Sequence, residues 1–258
     1  MISIASNGPA RALRVRLAET RADVIAAQRL RWQVFYRDMG ARAGPTQRGG
    51  LDVDEYDAVC DHLLVEDLAT GSAQVVGTYR LLRQRVAEAH GGFYSAGEYA
   101  LDPLLGGEGE LLELGRSCVA PAYRDAGTIQ LLWRGIADYL EREGISRMFG
   151  CASLPGTDPS AHAEALSYLH HHHLAPAAMR PRALAGRHVE MNRLPVGTYD
   201  PRRAMRLLPP LIKGYLRVGA MVGDGAVIDH QFNTVDVFLV VPVDAISARY
   251  RERFGAAA

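Results

Sequence analysis

Apolar and polar positions alternate with a period of two in several short runs of this chain and with a period near 3.6 in longer ones. The stretch LRVRLA (13–18) predicts a first strand. A helical pattern follows from Thr20 to Met39, opened by Thr20 with Asp23 three residues on, a variant of the capping box. A loop rich in Gly, Pro and Asp leads to HLLVED and AQVVGTYRLL, which the short linker LATGS joins as a hairpin. A glycine-punctuated connection, HGGFYSAGEYALDPLLGGEGE, runs into the strand LLELGRSCV (111–119). A turn, the helix Thr128–Glu143 and the strand SRMFGCASL (146–154) complete a right-handed crossover on a parallel pair. Beyond it, TDPSAHAEALSYLHH predicts a helix, RHVEMN a short strand, and AMRLLPPLIKGYLRVG a helical segment interrupted by Pro209 and Pro210. VGDGAVIDH reads as turn-rich and TVDVFLVVP as a strong strand. The fold class expected is α/β (α+β), a mixed twisted sheet with helices on both faces. At 258 residues the chain suits a single domain, 1–258, or one domain with a substantial extension, and is long enough to bury a core.

Charge removes some function classes. The 29 basic and 29 acidic side chains cancel, so no whole-molecule field favours nucleic acid. Cys60, Cys118 and Cys151 are far apart and form no C-x-x-C pair, which argues against a zinc ribbon and fits a reducing compartment. The N-terminus lacks a sustained apolar core of a signal peptide, and no apolar run approaches the ~18 residues of a spanning helix. The expected location is therefore cytoplasmic, with the basic, apolar segment Pro209–Val222 suited either to a bilayer surface or to a buried helix. The run His170–His173 would fan around a helix axis and so cannot all face one ion; no metal is expected.

The turn inside CVAPAYRDAGTIQLLW places Arg124 and Gly127 where a strand hands over to a helix. Backbone N–H groups and the helix dipole meet there, glycine permits close approach, and arginine can hold a phosphate bidentately. An ordinary strand-to-helix turn is the competing reading. The wider pattern V-x-P-x-Y-R-x-x-G, beginning at Val119, resembles the pyrophosphate loop R-x-x-G-x-G/A of the GNAT acyltransferase superfamily. Ile129 departs from it, standing where that family has its second Gly or Ala. A β-branched side chain there narrows the site for the pyrophosphate of coenzyme A. A single phosphodiester, 4′-phosphopantetheine on acyl carrier protein, asks less of the loop.

Four upstream pieces sharpen the match: LRWQVFY with Arg31 and Phe35, DVDEYD with Asp54 and Asp57, GTYRLL with Arg80, and ELGR with Glu113 and Arg116. In this order they resemble the R-x-x-x-F, D-x-x-D, G-x-x-R-L and E-L-S-R motifs of acyl-homoserine-lactone synthases, with Gly115 in place of the serine. The fuller resemblance is to the L-ornithine Nα-acyltransferases, through CDHLLV, VVGTYRLL, GGFYSAGEY, ELGRSCV, FGCASLPGTDP, LPPLIKGYLRVGAMVGDGAVID and FNTVDVF, in order from about residue 13 to 254. That resemblance implies a GNAT-like sheet with residues 155–258 holding family-specific acceptor-side elements. It also implies transfer of a 3-hydroxyacyl group from acyl carrier protein to the α-amine of L-ornithine, giving lyso-ornithine lipid, with no permanently bound cofactor. Another amino acid acceptor, lactone formation on S-adenosylmethionine, and a silent carrier-binding module are the competing expectations.

The attacking amine must be neutral. With group values near ~7.8 for an α-amine and ~10.4 for a lysine-like amine, deprotonation at pH 7 costs about 1 and about 4.6 kcal/mol, so the α-amine is the easier nucleophile. Glu113 and Arg116 are the candidate catalytic residues; Glu113 would take the amine proton, unless it only pairs with Arg116 or Arg80. Arg80 and Arg116 would fix the acceptor carboxylate or brace the acidic loop, and Asp54 and Asp57 would receive the cationic side chain or remain solvated. Arg31, Phe35, Asp224 and Asp229 complete the expected acceptor set, with turn chemistry the alternative for the last two. Arg124, Gly127 and Val119 would hold the donor arm. An oxyanion would need main-chain N–H groups near Cys118 and Val119, and Cys118 itself has no base spaced to make it a covalent carrier.

Overall fold

The computed structural model describes residues 11–246, apart from 45, 46, 48, 70 and 72. The chain begins with β1 (Leu13–Leu17) and α1 (Arg21–Arg31), and the Thr20–Asp23 capping box forms as read. The helix does not continue unchanged to Met39. Residues Trp32–Asp38 widen into a π-helix, a change of hydrogen-bond step that an apolar period does not report. The hairpin is β2 (Asp61–Asp67) and β3 (Gln74–Arg83), and β1 pairs antiparallel with β2. Next come α2 (Gln84–Ala89), the short β4 (Tyr99–Ala100) and α3 (Asp102–Leu105).

The crossover is β5 (Glu110–Val119), α4 (Ala126–Glu143) and β6 (Ile145–Pro155), with β5 and β6 parallel. Helix α4 buries Leu132, Ile136, Tyr139 and Leu140 along one stripe, is capped by Asp125, and ends at Gly144 in the left-handed region, φ 64°. The chain closes with α5 (Ala163–His173), β7 (Arg182–Ala183), α6 (Pro201–Leu207), α7 (Pro210–Arg217), β8 (Met221–Asp229) and β9 (Thr234–Pro242).

Two expectations fail here for local reasons. VGDGAVIDH, read as turns, is most of strand β8; a register break between Val222 and Ala226 absorbs Gly223 and Gly225, the latter at φ 84°. RHVEMN is not a strand but touches β8 through one isolated bridge, Val189 to Ala226.

Among the described residues, nine strands join one mixed sheet in the order β1-β2-β3-β5-β6-β9-β8-β7-β4. Strand alternation sends successive residues to opposite faces. Leu81, Leu112, Met148 and Val241 pack with α4, α5 and α7, while Leu82, Leu111, Phe149 and Val240 pack with Phe93, Tyr99 and Leu104. Helix α7 turns Ile212, Tyr215 and Leu216 into the first of these layers, so the apolar face of the Pro209–Val222 segment is covered by protein. Among the described residues, no helix is long and apolar enough to cross a membrane.

One irregularity in the sheet positions everything that follows. Strands β5 and β6 pair only from Glu110 to Glu113, after which β6 runs beside β9 alone. At the parting point an added Cβ on Gly150 would stand 2.2 Å from the main-chain oxygen of Leu114. Gly150→Ala should therefore push the two strands apart or distort β6, costing roughly 1–3 kcal/mol or more. Urea unfolding of the variant checks this, and an unchanged midpoint would mean that the strands approach less closely than drawn.

Candidate active site

Where β5 leaves β6, a cavity of about 560 Å³ opens along the unpaired edge of β5. Arg124, Ile129 and Met39 line its exposed end, and Glu113, Ser95, Glu98, Thr234 and Asp236 line its buried end. Gly115, Arg116, Ser117, Cys118 and Val119 form the wall between. The wall is bent by a bulge: Thr78 pairs with Cys118 and Arg80 with Gly115, leaving two β5 residues opposite Tyr79. Arg116 takes φ 50° there, a conformation uncommon outside glycine that aims its side chain at the acidic loop.

That side chain enters a lattice of three arginines and three aspartates. Arg31, from α1, reaches Asp52 Oδ2 at 2.8 Å and Asp57 Oδ2 at 2.7 Å. Arg80, from β3, donates to Asp54 Oδ1 at 2.5 Å and Asp57 Oδ1 at 3.4 Å. Arg116 donates to Asp52 Oδ2 at 3.2 Å and Asp54 Oδ2 at 3.0 Å, and lies over the rings of Tyr94 and Phe232. Gln28 and Tyr36 complete the set, donating to Asp57 and Asp52. Burial would raise the Asp57 carboxyl, but its hydrogen bond to Arg31 and the charges of Arg31 and Arg80 outweigh that and hold it well below the ordinary range.

In this lattice Arg80 and Arg116 are ion-paired with the aspartates of the acidic loop. Arg31, Asp54 and Asp57 stand behind the cavity wall rather than on it, whereas Arg80, Arg116 and Phe35 line it. Phe35 packs edge-on against Phe232. Asp229 lines the cavity as well, its Oδ1 accepting from the N–H groups of Gln231 and Phe232. Asp224 does not; it pairs with Arg182 at 3.3 Å, away from the cavity.

Glu113 is buried, and its carboxylate accepts from Tyr94 N–H at 2.8 Å, from Ser95 N–H at 2.8 Å and from the Ser95 hydroxyl. It thus caps the short 3-10 turn Tyr94–Gly97. Burial pushes its pKa up against the pull of those donors. No ion pair to Arg116 or Arg80 forms at Glu113; both arginines are turned to the aspartates.

Two carboxyls that sequence reasoning passed over share this end. Glu98 is pushed up to about 7 by burial and then by the charge of Asp236. Asp236 is pushed up to about 6, chiefly by burial, against the hydroxyls of Ser153 and Thr234. The available signal was an acid inside the apolar strand TVDVFLVVP, since a buried strand does not carry a charge without a reason. Asp52, next to the Asp54 and Asp57 that were singled out, was missed in the same way.

At the exposed end, Arg124 donates through Nε to the Val119 carbonyl. Asp125 caps α4 by accepting from Thr128 N–H, its main-chain oxygen takes Ile129 N–H, and its charge is paired with Arg11. The amides of Ala126 and Gly127 are the first-turn donors not used this way. Gly127 sits inside α4, where an added Cβ would meet only Asp125 Oδ1, at 3.4 Å, so no fold constraint inside the chain demands a glycine.

Burial pushes the Cys118 thiol up to about 12, leaving it protonated and a poor nucleophile. His171 binds Tyr199 and Asn192, and among the described residues no group of three or more His, Cys, Asp or Glu is placed to hold a metal.

Comparison with known proteins adds findings of three kinds. A family model described as an acetyltransferase (GNAT) domain matches residues 30–134. The L-ornithine N(alpha)-acyltransferase of Rhizobium meliloti (strain 1021) is 48% identical over 250 residues, covering 95% of this chain and 84% of that one. The protein of the same description from Brucella abortus (strain 2308) is also 48% identical, covering 98% and 95%. Among solved structures, the AHL synthase LasI superposes with a TM-score of 0.53 at 14% identity, covering 95% of this chain and 96% of that one, a likeness of fold.

Proposed function

Because the chain belongs to the L-ornithine Nα-acyltransferase family, we propose that it moves a 3-hydroxyacyl group from acyl carrier protein to the α-amine of L-ornithine, giving lyso-ornithine lipid. The single feature that supports this most is the continuity of the cavity from Arg124 and Ile129 to Glu113. A 4′-phosphopantetheine arm entering at the exposed end would set its phosphodiester by Arg124 and the Ala126 and Gly127 amides. Its thioester would then lie along β5, beside the unpaired edge that ends at Val119.

One phosphodiester suits this corner better than a pyrophosphate. Asp125 already occupies the helix cap, and Ile129 fills the rim at 41% exposure, so room and positive potential for a second phosphate are both reduced. The α-ammonium loses its proton to Glu113, directly or through a water, and the neutral nitrogen attacks the thioester carbonyl. Collapse of the tetrahedral intermediate forms the amide and expels the carrier thiolate, which takes up a proton. Main-chain N–H groups on the free edge of β5 near Cys118 and Val119 would stabilise the oxyanion.

Purified protein incubated with 3-hydroxyacyl carrier protein should release thiol only when L-ornithine is added, and fragment masses of the product should place the acyl group on the α-nitrogen. Equal turnover with acyl-coenzyme A would remove the carrier from the reading. No acylation of ornithine with either donor would remove the acceptor.

A further inference from the structure

Charge is not balanced along the cavity. The three arginines Arg31, Arg80 and Arg116 are matched by Asp52, Asp54 and Asp57 and leave nothing over for the buried end. There, Glu98, Glu113, Asp229 and Asp236 line one space. Among the described residues, the cation ion-paired with this group is Arg187, which is half exposed, donates to the Gly97 carbonyl and, of the four acids, reaches Glu98, at 3.2 Å. Three of the four carboxylates are provided with donors: Glu113 by the Tyr94–Ser95 turn, Asp229 by two main-chain amides, and Glu98 by Arg187 and the Cys151 thiol.

Asp236 is the exception. It is 7% exposed, and neither its Oδ1 nor the hydroxyl oxygen of Thr234, two residues away on the same face of β9, makes a hydrogen bond of good geometry, although the Ser153 and Thr234 hydroxyls stand near enough to pull its pKa down. A buried carboxylate oxygen without a donor, next to other acids, is costly unless something cationic arrives. An alkylammonium brings one positive charge and three N–H donors, and a donor of good geometry is what Asp236 Oδ1 and the Thr234 hydroxyl oxygen lack.

We propose that Asp236, with Glu98 and Asp229, forms the subsite that recognises the side-chain ammonium of the amino acid acceptor. The proposal rests on the acyltransferase reading and deepens it. It assigns the two nitrogens of a diamino acid to two places: the α-amine to Glu113, and the distal ammonium to the acids of β8, of β9 and of the turn before β4. A substrate that fills both is selected for its side-chain length as well as its charge. Raised carboxyl pKa values at Glu98 and Asp236 agree with an end of the cavity that awaits a cation.

The test is calorimetric titration of the full-length protein with L-ornithine and with L-norvaline, the same skeleton without the distal amine. Wild type should bind ornithine at least about 30-fold more tightly, and Asp236→Asn and Glu98→Gln should each remove most of that difference. Asp236→Asn should also melt at a higher temperature than wild type in the absence of ligand, because it removes a buried charge; a merely structural carboxylate would give the opposite shift. Ornithine preference undiminished in both variants, or norvaline bound by wild type as tightly as ornithine, would overturn the subsite. Acyl transfer measured in parallel separates the two ideas. Ornithine-selective binding without transfer rejects the transferase and keeps the subsite, whereas transfer with selectivity intact in the variants does the reverse.

Discussion

Replacement of Arg31 by alanine is expected to remove about 3–5 kcal/mol of folding stability, the range found when one partner of a buried ion pair is deleted. The side chain is 1% exposed and joins Asp52 and Asp57, themselves 1% and 5% exposed as side chains. Deleting it leaves two arginines for three aspartates, two of which, Asp52 and Asp57, are almost fully buried. Since whole domains of this kind hold about 5–15 kcal/mol, the variant should unfold at much lower urea and accumulate poorly. Arg31→Lys should fall between, because a single ammonium cannot serve two carboxylates with the fixed fork of a guanidinium. A loss below about 1 kcal/mol would put the lattice in the class of exposed pairs and show that it is wetter than drawn.

The same lattice gives a pH signature. A carboxyl held below its ordinary pKa contributes stability above that ordinary value and loses it as pH falls through the folded one. For Asp57 the sign is therefore destabilisation on acidification, beginning near pH ~4, where an unfolded aspartate takes up its proton. Arg31→Ala should flatten this limb, since the hydrogen bond and charge of Arg31 are the leading influences that depress Asp57.

How far the molecule could be read from its sequence depended on whether the deciding force was local. The capping box at Thr20 rests on neighbours within one turn, and the crossover through β5, α4 and β6 on the period of each of its three elements and their short connections; both formed as expected. The helix after Arg31 and the strand β8 were misread because a wider helical step and a two-glycine bulge leave the apolar pattern nearly unchanged. The site divided along the same line. Arg31, Asp54, Asp57, Arg80 and Arg116 could be picked out as a set, yet which of them touch the cavity depends on how β3, β5 and the acidic loop pack. Asp54 and Asp57 stand behind the cavity wall, whereas Glu98 and Asp236, which carry the proposed ammonium subsite, lie more than a hundred residues apart in the chain and meet only in the folded sheet.

Glu113→Gln should lower kcat by about 10²–10³-fold, within the span usual for a lost general base. The substitution has two consequences, and they can be separated. A carboxylate accepts from both Tyr94 N–H and Ser95 N–H, but an amide must turn its NH₂ toward one of them, so the turn that places Glu98 would also loosen. Ser95→Ala isolates the chemistry: it deletes the hydroxyl donor and leaves both main-chain donors in place. With one stabilising hydrogen bond gone, the Glu113 pKa should rise further above its ordinary value, and the acid limb of the kcat profile should move to higher pH while activity on the plateau is largely kept. In Glu113→Gln the same limb should vanish. A purely anchoring role predicts that both variants lose activity in proportion to lost thermal stability, with the pH profile unmoved. An unshifted acid limb in Ser95→Ala, together with a Glu113→Gln enzyme that still turns over at half the wild-type rate, would leave the proton to be taken by another group.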